Sequence, residues 1–102
     1  MESIKFSYNW NNKLDNKCFT TVRLKYDAKY FVGAKFSVDY KGKFFHVVVR
    51  DVKHFMLNDV DLFTAMIDTG YSTTEFIKII RTMYPLIDFS QQLLSCILLV
   101  RI

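Results

Sequence analysis

The 102-residue chain predicts an α+β fold, a small curled sheet of about five to six strands with two or three helices. Three observations predict it. Period-two alternation, the mark of a strand, recurs at residues 3–8, 17–24, 34–40 and 43–56. One helix start is explicit: Ser72-Thr73-Thr74-Glu75 reads as a capping box, with Pro85 as the stop. A nearly unbroken apolar run closes the chain from about 93 to 102, as for a strand covered on both faces.

The elements follow in order. Ile4, Phe6 and Tyr8 alternate on one face of a first strand, 3–8. Asn9 is placed to cap a short helix over 10–15, where Trp10 and Leu14 are four apart and share a face. Asn16 turns the chain into a strand over 17–24. A loop over 25–33, basic and aromatic, ends at Gly33, which suits a tight turn. Ala34, Phe36, Val38 and Tyr40 line one face of the next strand. Lys41-Gly42 signals a hairpin, and the Val- and Phe-rich stretch 43–56 is long enough to need a bend or bulge. Asn58 or Asp59 is expected to cap a short helix over 60–67, and 68–71 is expected to be a loop. The helix after Ser72 carries Phe76, Ile79, Ile80 and Met83 on its apolar face and Lys78 and Arg81 off it.

Length bounds the chain to one domain, 1–102, with one core. Only three Gly and one Pro argue against disorder and against a Gly-rich phosphate loop. The net charge of +4 is uneven: residues 1–60 hold eleven Lys/Arg against six Asp/Glu, a bias compatible with an anionic partner. Cys18 and Cys96 lie in apolar, strand-like settings and are expected as buried free thiols. His46 and His54 have no ligand-spaced Cys or acid, so neither a metal nor a cofactor is expected. The start of the chain lacks an apolar signal region, and the late apolar run is too short for a bilayer; a cytoplasmic protein without membrane contact is the expectation.

The most informative stretch is 17–24. A period of two puts Phe19, Thr21 and Arg23 on one face, with Lys17 at its start, and Cys18, Thr20, Val22 and Leu24 on the other. The second face suits a core. The first offers an aromatic ring, a hydroxyl and a guanidinium in a row, groups that can hold a base and a phosphate. Its bland reading is an ordinary solvated strand face. Tyr26 and Tyr30 in the following loop and Tyr71 before the late helix add stacking surface, with Lys25 and Lys29 as cations. Trp10, beside Leu14, reads as core rather than platform.

The element order and three motifs resemble the ASCH domains of the PUA-like superfamily. The motifs are Lys17-x-x-Thr20-Thr21-x-Arg23 on the second strand, Gly33 before a hydrophobic strand, and Met83-Tyr84-Pro85 at the end of the late helix. The layout is similar over nearly the whole length to the small bacterial N4-acetylcytidine amidohydrolases. The resemblance implies a PUA-like small β-barrel and a cleft beside it for RNA, a nucleotide or a modified base. It also implies a Lys, Thr and Glu set where catalysis occurs. Held in register at Arg23, the catalytic Thr falls on Thr21. The Lys position falls on Cys18 with Lys17 one residue away, a further Thr position is filled by Phe19, and the Glu position falls near Thr69 with Asp68 adjacent. Lys17, Thr21 and Asp68 are therefore the expected catalytic set of an amide hydrolase.

Three functions are weighed. The first is binding of RNA or a nucleotide-like ligand by Lys17, Phe19, Thr21, Arg23, Tyr26 and Tyr71. The second is hydrolysis of an N4-acylated cytidine-type nucleoside. The third is a protein-partner module, an inhibitor or adaptor that takes no ligand.

Overall fold

The computed structural model describes residues 1–102. Five strands, β1 (Ser3–Phe6), β2 (Cys18–Leu24), β3 (Lys35–Tyr40), β4 (Lys43–Met56) and β5 (Leu93–Arg101), form one sheet in the order β1-β3-β4-β5-β2. Only β1 and β3 run parallel. Two helices, α1 (Leu62–Thr69) and α2 (Thr73–Met83), and two 3-10 turns, Trp10–Asp15 and Leu57–Asp59, complete an α+β domain. No helix is long and apolar enough to cross a membrane.

The sheet curls into a half-barrel. Long β4 pairs with β3 through its first half and with β5 from Val47 onward, and its register shifts between Val49 and Asp51. The extra residue there sharpens twist and bends the strand. The bend brings the two sheet edges, β1 and β2, toward each other. Phe6 and Phe19 meet across the seam with ring centroids 6.0 Å apart, and the Arg23 Nη2 donates to the Lys5 carbonyl at 2.8 Å.

Apolar side chains pack on both faces of the sheet, on the outer face only toward one end. Inside the curl, Ile4, Phe6, Phe19, Phe36, Val38, Val47, Val49, Ile97 and Leu99 pack together. Outside, Val22 and Leu94 meet Leu57, Ala65, Phe76, Ile80 and Phe89. Burying one such large apolar side chain stabilises by about 1.5–3 kcal/mol, so each cluster is a substantial core, and the single core expected from chain length is in fact two, divided by the sheet.

Several expectations need correction. The face of β2 assigned to ligand points into the curl, and Phe19, 4% exposed, is core between Phe6 and Phe45. The reason is that a curled sheet has an inside, so Phe19 and Val22 on opposite faces are both buried. Cys18 is exposed and Cys96 half-buried; both are free thiols. Tyr8 lies past the end of β1 and is exposed, whereas Tyr30 is buried against Phe36. The first helix starts later than expected: Asp61 caps it, accepting from the Thr64 amide at 2.7 Å, and it continues to Thr69. Asp68 and Thr69 are thus helical and buried, not loop residues. The β4 bulge also separates His46 from His54. Val47, Val49 and, past the bulge, Val52 join the inner cluster, which leaves His46 outward and His54 inward beside Ser95.

Candidate functional site at the sheet seam

The site begins with an irregular turn. Asn11 and Asn12 adopt left-handed backbone, φ 55° and 54°, a conformation that Asn tolerates better than most residues. The Asn9 side chain accepts from the Leu14 amide at 2.9 Å and holds the turn closed. The result is that Lys13 and Leu14 both turn inward, where a regular helix would have placed Trp10 with Leu14. Trp10 instead stays half-buried, tilted against Tyr8 at 4.5 Å and edge-to-face with Tyr71 at 5.9 Å.

From the other side comes the C-terminal turn of α1. Gly70 ends that helix with φ 82°. A Cβ at Gly70 would stand 3.2 Å from the Asn11 side chain, so glycine serves both the backbone and the close approach of the two turns. That approach sets Asp68 against Lys13. Their side chains are only 6% and 5% exposed, with Lys13 Nζ donating to Asp68 Oδ1 at 2.8 Å. Thr20 Oγ1 donates to the same oxygen at 3.0 Å.

Burial holds the Lys13 ammonium below its ordinary range; Asp68 opposes that shift, and nearby Arg23 adds to it. The Cys96 thiol, also screened from water, is pushed up to about 11, mainly by burial and then by the Asp68 charge. It is no nucleophile at neutral pH.

A narrow cleft opens beside the pair, between the edges β1 and β2. Lys5, Tyr8, Trp10, Lys13, Thr21, Arg23, Asp68 and Thr69 form its polar and aromatic wall; Ile79, Ile80 and Met83 of α2 form its apolar wall. Thr21 is 2% exposed, with its hydroxyl accepting from Arg23 Nε at 3.0 Å. Arg23 also lies over the Phe6 ring, 4.9 Å from its centroid. Its Nε and Nη2 are engaged by the protein, and Nη1 has no partner there.

Of the residues expected at the site, Thr21, Arg23 and Asp68 meet at this cleft. Lys17 is exposed at the far end of β2 and does not line it; Lys13 is the lysine that does. Phe19 is sealed below it. Tyr71 flanks the mouth, in a hollow shared with Tyr8, Trp10 and the three asparagines. Tyr26, 59% exposed, lines a neighbouring hollow with Lys25 and Lys29 that meets the cleft at Arg23. Lys25 and Lys29 make exposed ion pairs with Asp27 and Glu2. Lys13 escaped a periodicity reading because one turn of assumed helix put it beside the apolar position, not on it. The Asn11-Asn12 pair was the available signal, since two residues tolerant of left-handed backbone break a helical register.

Chemically, the arrangement offers a buried cation and carboxylate, two hydroxyls, a partly free guanidinium and a cluster of three mutually inclined aromatic rings at the mouth. No protein-family model, no curated protein and no solved structure matches the chain.

Proposed function

We propose that the seam cleft binds a nucleoside-like group, free or within RNA, and that the chain is an ASCH-type, PUA-like domain. The observation that carries the reading is the convergence of Arg23 and Thr21 from β2, Lys13 and Trp10 from the first 3-10 turn, and Asp68 from α1 at one cleft, three separate elements. A base stacks on flat rings and is read by fixed donors and acceptors, while a guanidinium takes a phosphate or carbonyl oxygen. The curled five-stranded sheet is compatible with a PUA-like barrel, and the Lys-x-x-Thr-Thr-x-Arg segment resembles the ASCH motif.

A second reading, hydrolysis of an N4-acylated cytidine-type nucleoside, is favoured by one specific observation. Lys13, with its pKa lowered by burial, stands hydrogen-bonded to a carboxylate at the cleft. In this reading Asp68 takes a proton from water as the water oxygen bonds to the acyl carbon, Lys13 steadies the charge on the acyl oxygen, and Asp68 returns that proton to N4 as the C–N bond breaks, leaving a carboxylate and the free amine. Lys13 here takes the part that the family resemblance gave to Lys17.

The test is a thermal-shift screen with nucleosides, N4-acetylcytidine and short RNA, on the native chain and on Trp10→Ala and Arg23→Ala. A ligand-dependent rise in Tm that both substitutions reduce supports the cleft. Release of acetate, followed by chromatography and lost in Asp68→Asn, promotes the hydrolase. No shift from well-folded protein with any of these ligands overturns both readings and leaves the protein-partner function.

A further inference from the structure

Two hollows adjoin the seam cleft, and they differ in charge. The one that shares Tyr8 and Trp10 with the cleft adds Tyr71 and three asparagines and has no charged residue in its lining. The one that shares Arg23 with the cleft adds Lys25, Tyr26 and Lys29, and its lining holds three cations and no carboxylate. The first suits a neutral group with hydrogen-bonding edges, the second an anion.

The cationic hollow is also built on anchored backbone. Arg23 is fixed by its bonds to Thr21 and to the Lys5 carbonyl and by the Phe6 ring, which leaves Nη1 without a protein partner. The Lys25 amide donates to the Leu93 carbonyl at 3.0 Å and ties the loop to β5. The Lys29 and Tyr30 amides both donate to the Tyr26 carbonyl, at 3.0 and 2.9 Å, so one tight turn carries Tyr26 and Lys29. Tyr30 anchors that turn in the core against Phe36, and Lys29 Nζ stands 5.3 Å from the Tyr30 ring centroid. The acids already paired with these lysines are weak competitors. Lys25–Asp27 at 3.2 Å and Lys29–Glu2 at 3.6 Å involve largely exposed carboxylates, and ion pairs in water are worth little. A phosphate monoester brings about two negative charges and three acceptor oxygens, enough for all three cations.

Resting on the nucleoside reading of the cleft, we infer that this hollow is a phosphate subsite. The ligand is then a nucleoside phosphate, with its base toward the neutral rings and its phosphate among Arg23, Lys25 and Lys29. A free nucleotide and a nucleic-acid strand both present that group.

The experiment is isothermal titration calorimetry of the full chain with cytidine and N4-acetylcytidine, the 5′-monophosphate of each, and a cytidine trinucleotide. Each monophosphate is expected to bind at least about tenfold more tightly than its nucleoside, the scale of charge-assisted contacts to an anion. Lys25→Gln combined with Lys29→Gln is expected to abolish that difference and to leave nucleoside affinity unchanged. Added salt should narrow the difference too. A trinucleotide tighter than the monophosphate makes a strand the source, and equal affinity makes it a free nucleotide; either result supports the subsite. Should the double variant fail to fold, the uncharged dimethyl ester of the same nucleotide on the unaltered chain answers the same question, binding no more tightly than the nucleoside. A monophosphate no tighter than its nucleoside overturns the phosphate subsite and leaves the nucleoside reading standing. So does a preference for the monophosphate that survives the double substitution or the ester. Monophosphates bound through the two lysines but indifferent to Trp10→Ala overturn the nucleoside reading and leave the phosphate subsite standing. No binding of any probe by folded protein overturns both.

Discussion

Helices α1 and α2 are neighbours in sequence and are packed on the same face of the sheet, yet they meet it in opposite ways. Helix α2 follows its amphipathic pattern: Phe76 and Ile80 are buried, and Lys78 and Arg81 face water. Helix α1 reverses the pattern, giving Ala65, Asp68 and Thr69 to the interior and its four large apolar side chains to the outside. The difference teaches what each helix is for. Helix α2 seals a core and forms the apolar wall of the cleft. Helix α1 delivers a carboxylate to a buried lysine, and the small Ala65 lets it come close enough to do so. Its large side chains stay in water.

The comparison is broken most directly at the buried anchors. Phe76→Ala removes the largest side chain that α2 buries, and should destabilise by about 3–5 kcal/mol in urea unfolding. A loss under 1 kcal/mol would mean that α2 does not seal the outer core. On α1 the corresponding change is polar. Asp68→Ala leaves the Lys13 ammonium buried without its partner, and should destabilise by about 3–5 kcal/mol. The double change Lys13→Met with Asp68→Leu should recover most of that loss, because no charge is then left in the interior. If the double variant is as unstable as the single one, the pair matters for shape rather than charge.

A pH series sharpens the same contrast. The Cys96 thiol titrates at about 11 in the folded chain against an ordinary 9.0. The folded state therefore keeps its proton where the unfolded state loses it. This contribution to stability is present below pH 9 and is lost as pH rises through about 11. Lys13, lowered by burial, works in the opposite sense: its unfolded form holds the proton longer, so its contribution grows as pH climbs toward 10.5. Urea melts across this alkaline range should show a decline that Cys96→Ala makes shallower and Lys13→Met makes steeper. An identical slope in all three would remove both groups from the account. The smallest effect lies at the caps. Asp61→Ala and Ser72→Ala should each cost about 1 kcal/mol, Asp61 the more, since its bond to the Thr64 amide is 2.7 Å against 3.3 Å for Ser72 to Glu75.

Much of the scaffold was legible in local chemistry. Alternation located four strands and the late apolar run the fifth, Ser72 and Pro85 bracketed α2, and the length of 43–56 announced its bulge. The site was legible in part. Thr21, Arg23 and Asp68 reach the cleft, but Lys13 was hidden by two left-handed asparagines, and Phe19 went to the core although its strand partners by period are Thr21 and Arg23.

What the sequence determined by itself is whatever depends on neighbours along the chain: strand period, helix caps, the glycine turns and the proline stop. These follow from backbone sterics and hydrogen bonds that span a few residues. What only the tertiary structure decided is which face of an element becomes the inside. Curling the sheet turned the Phe19 face inward, and the approach of Gly70 to Asn11 brought Asp68 to Lys13 across 55 residues of chain. Burial is a property of surfaces that meet from distant segments, so the alternation along β2 and the stripe along α1 define two faces without saying which one will be covered.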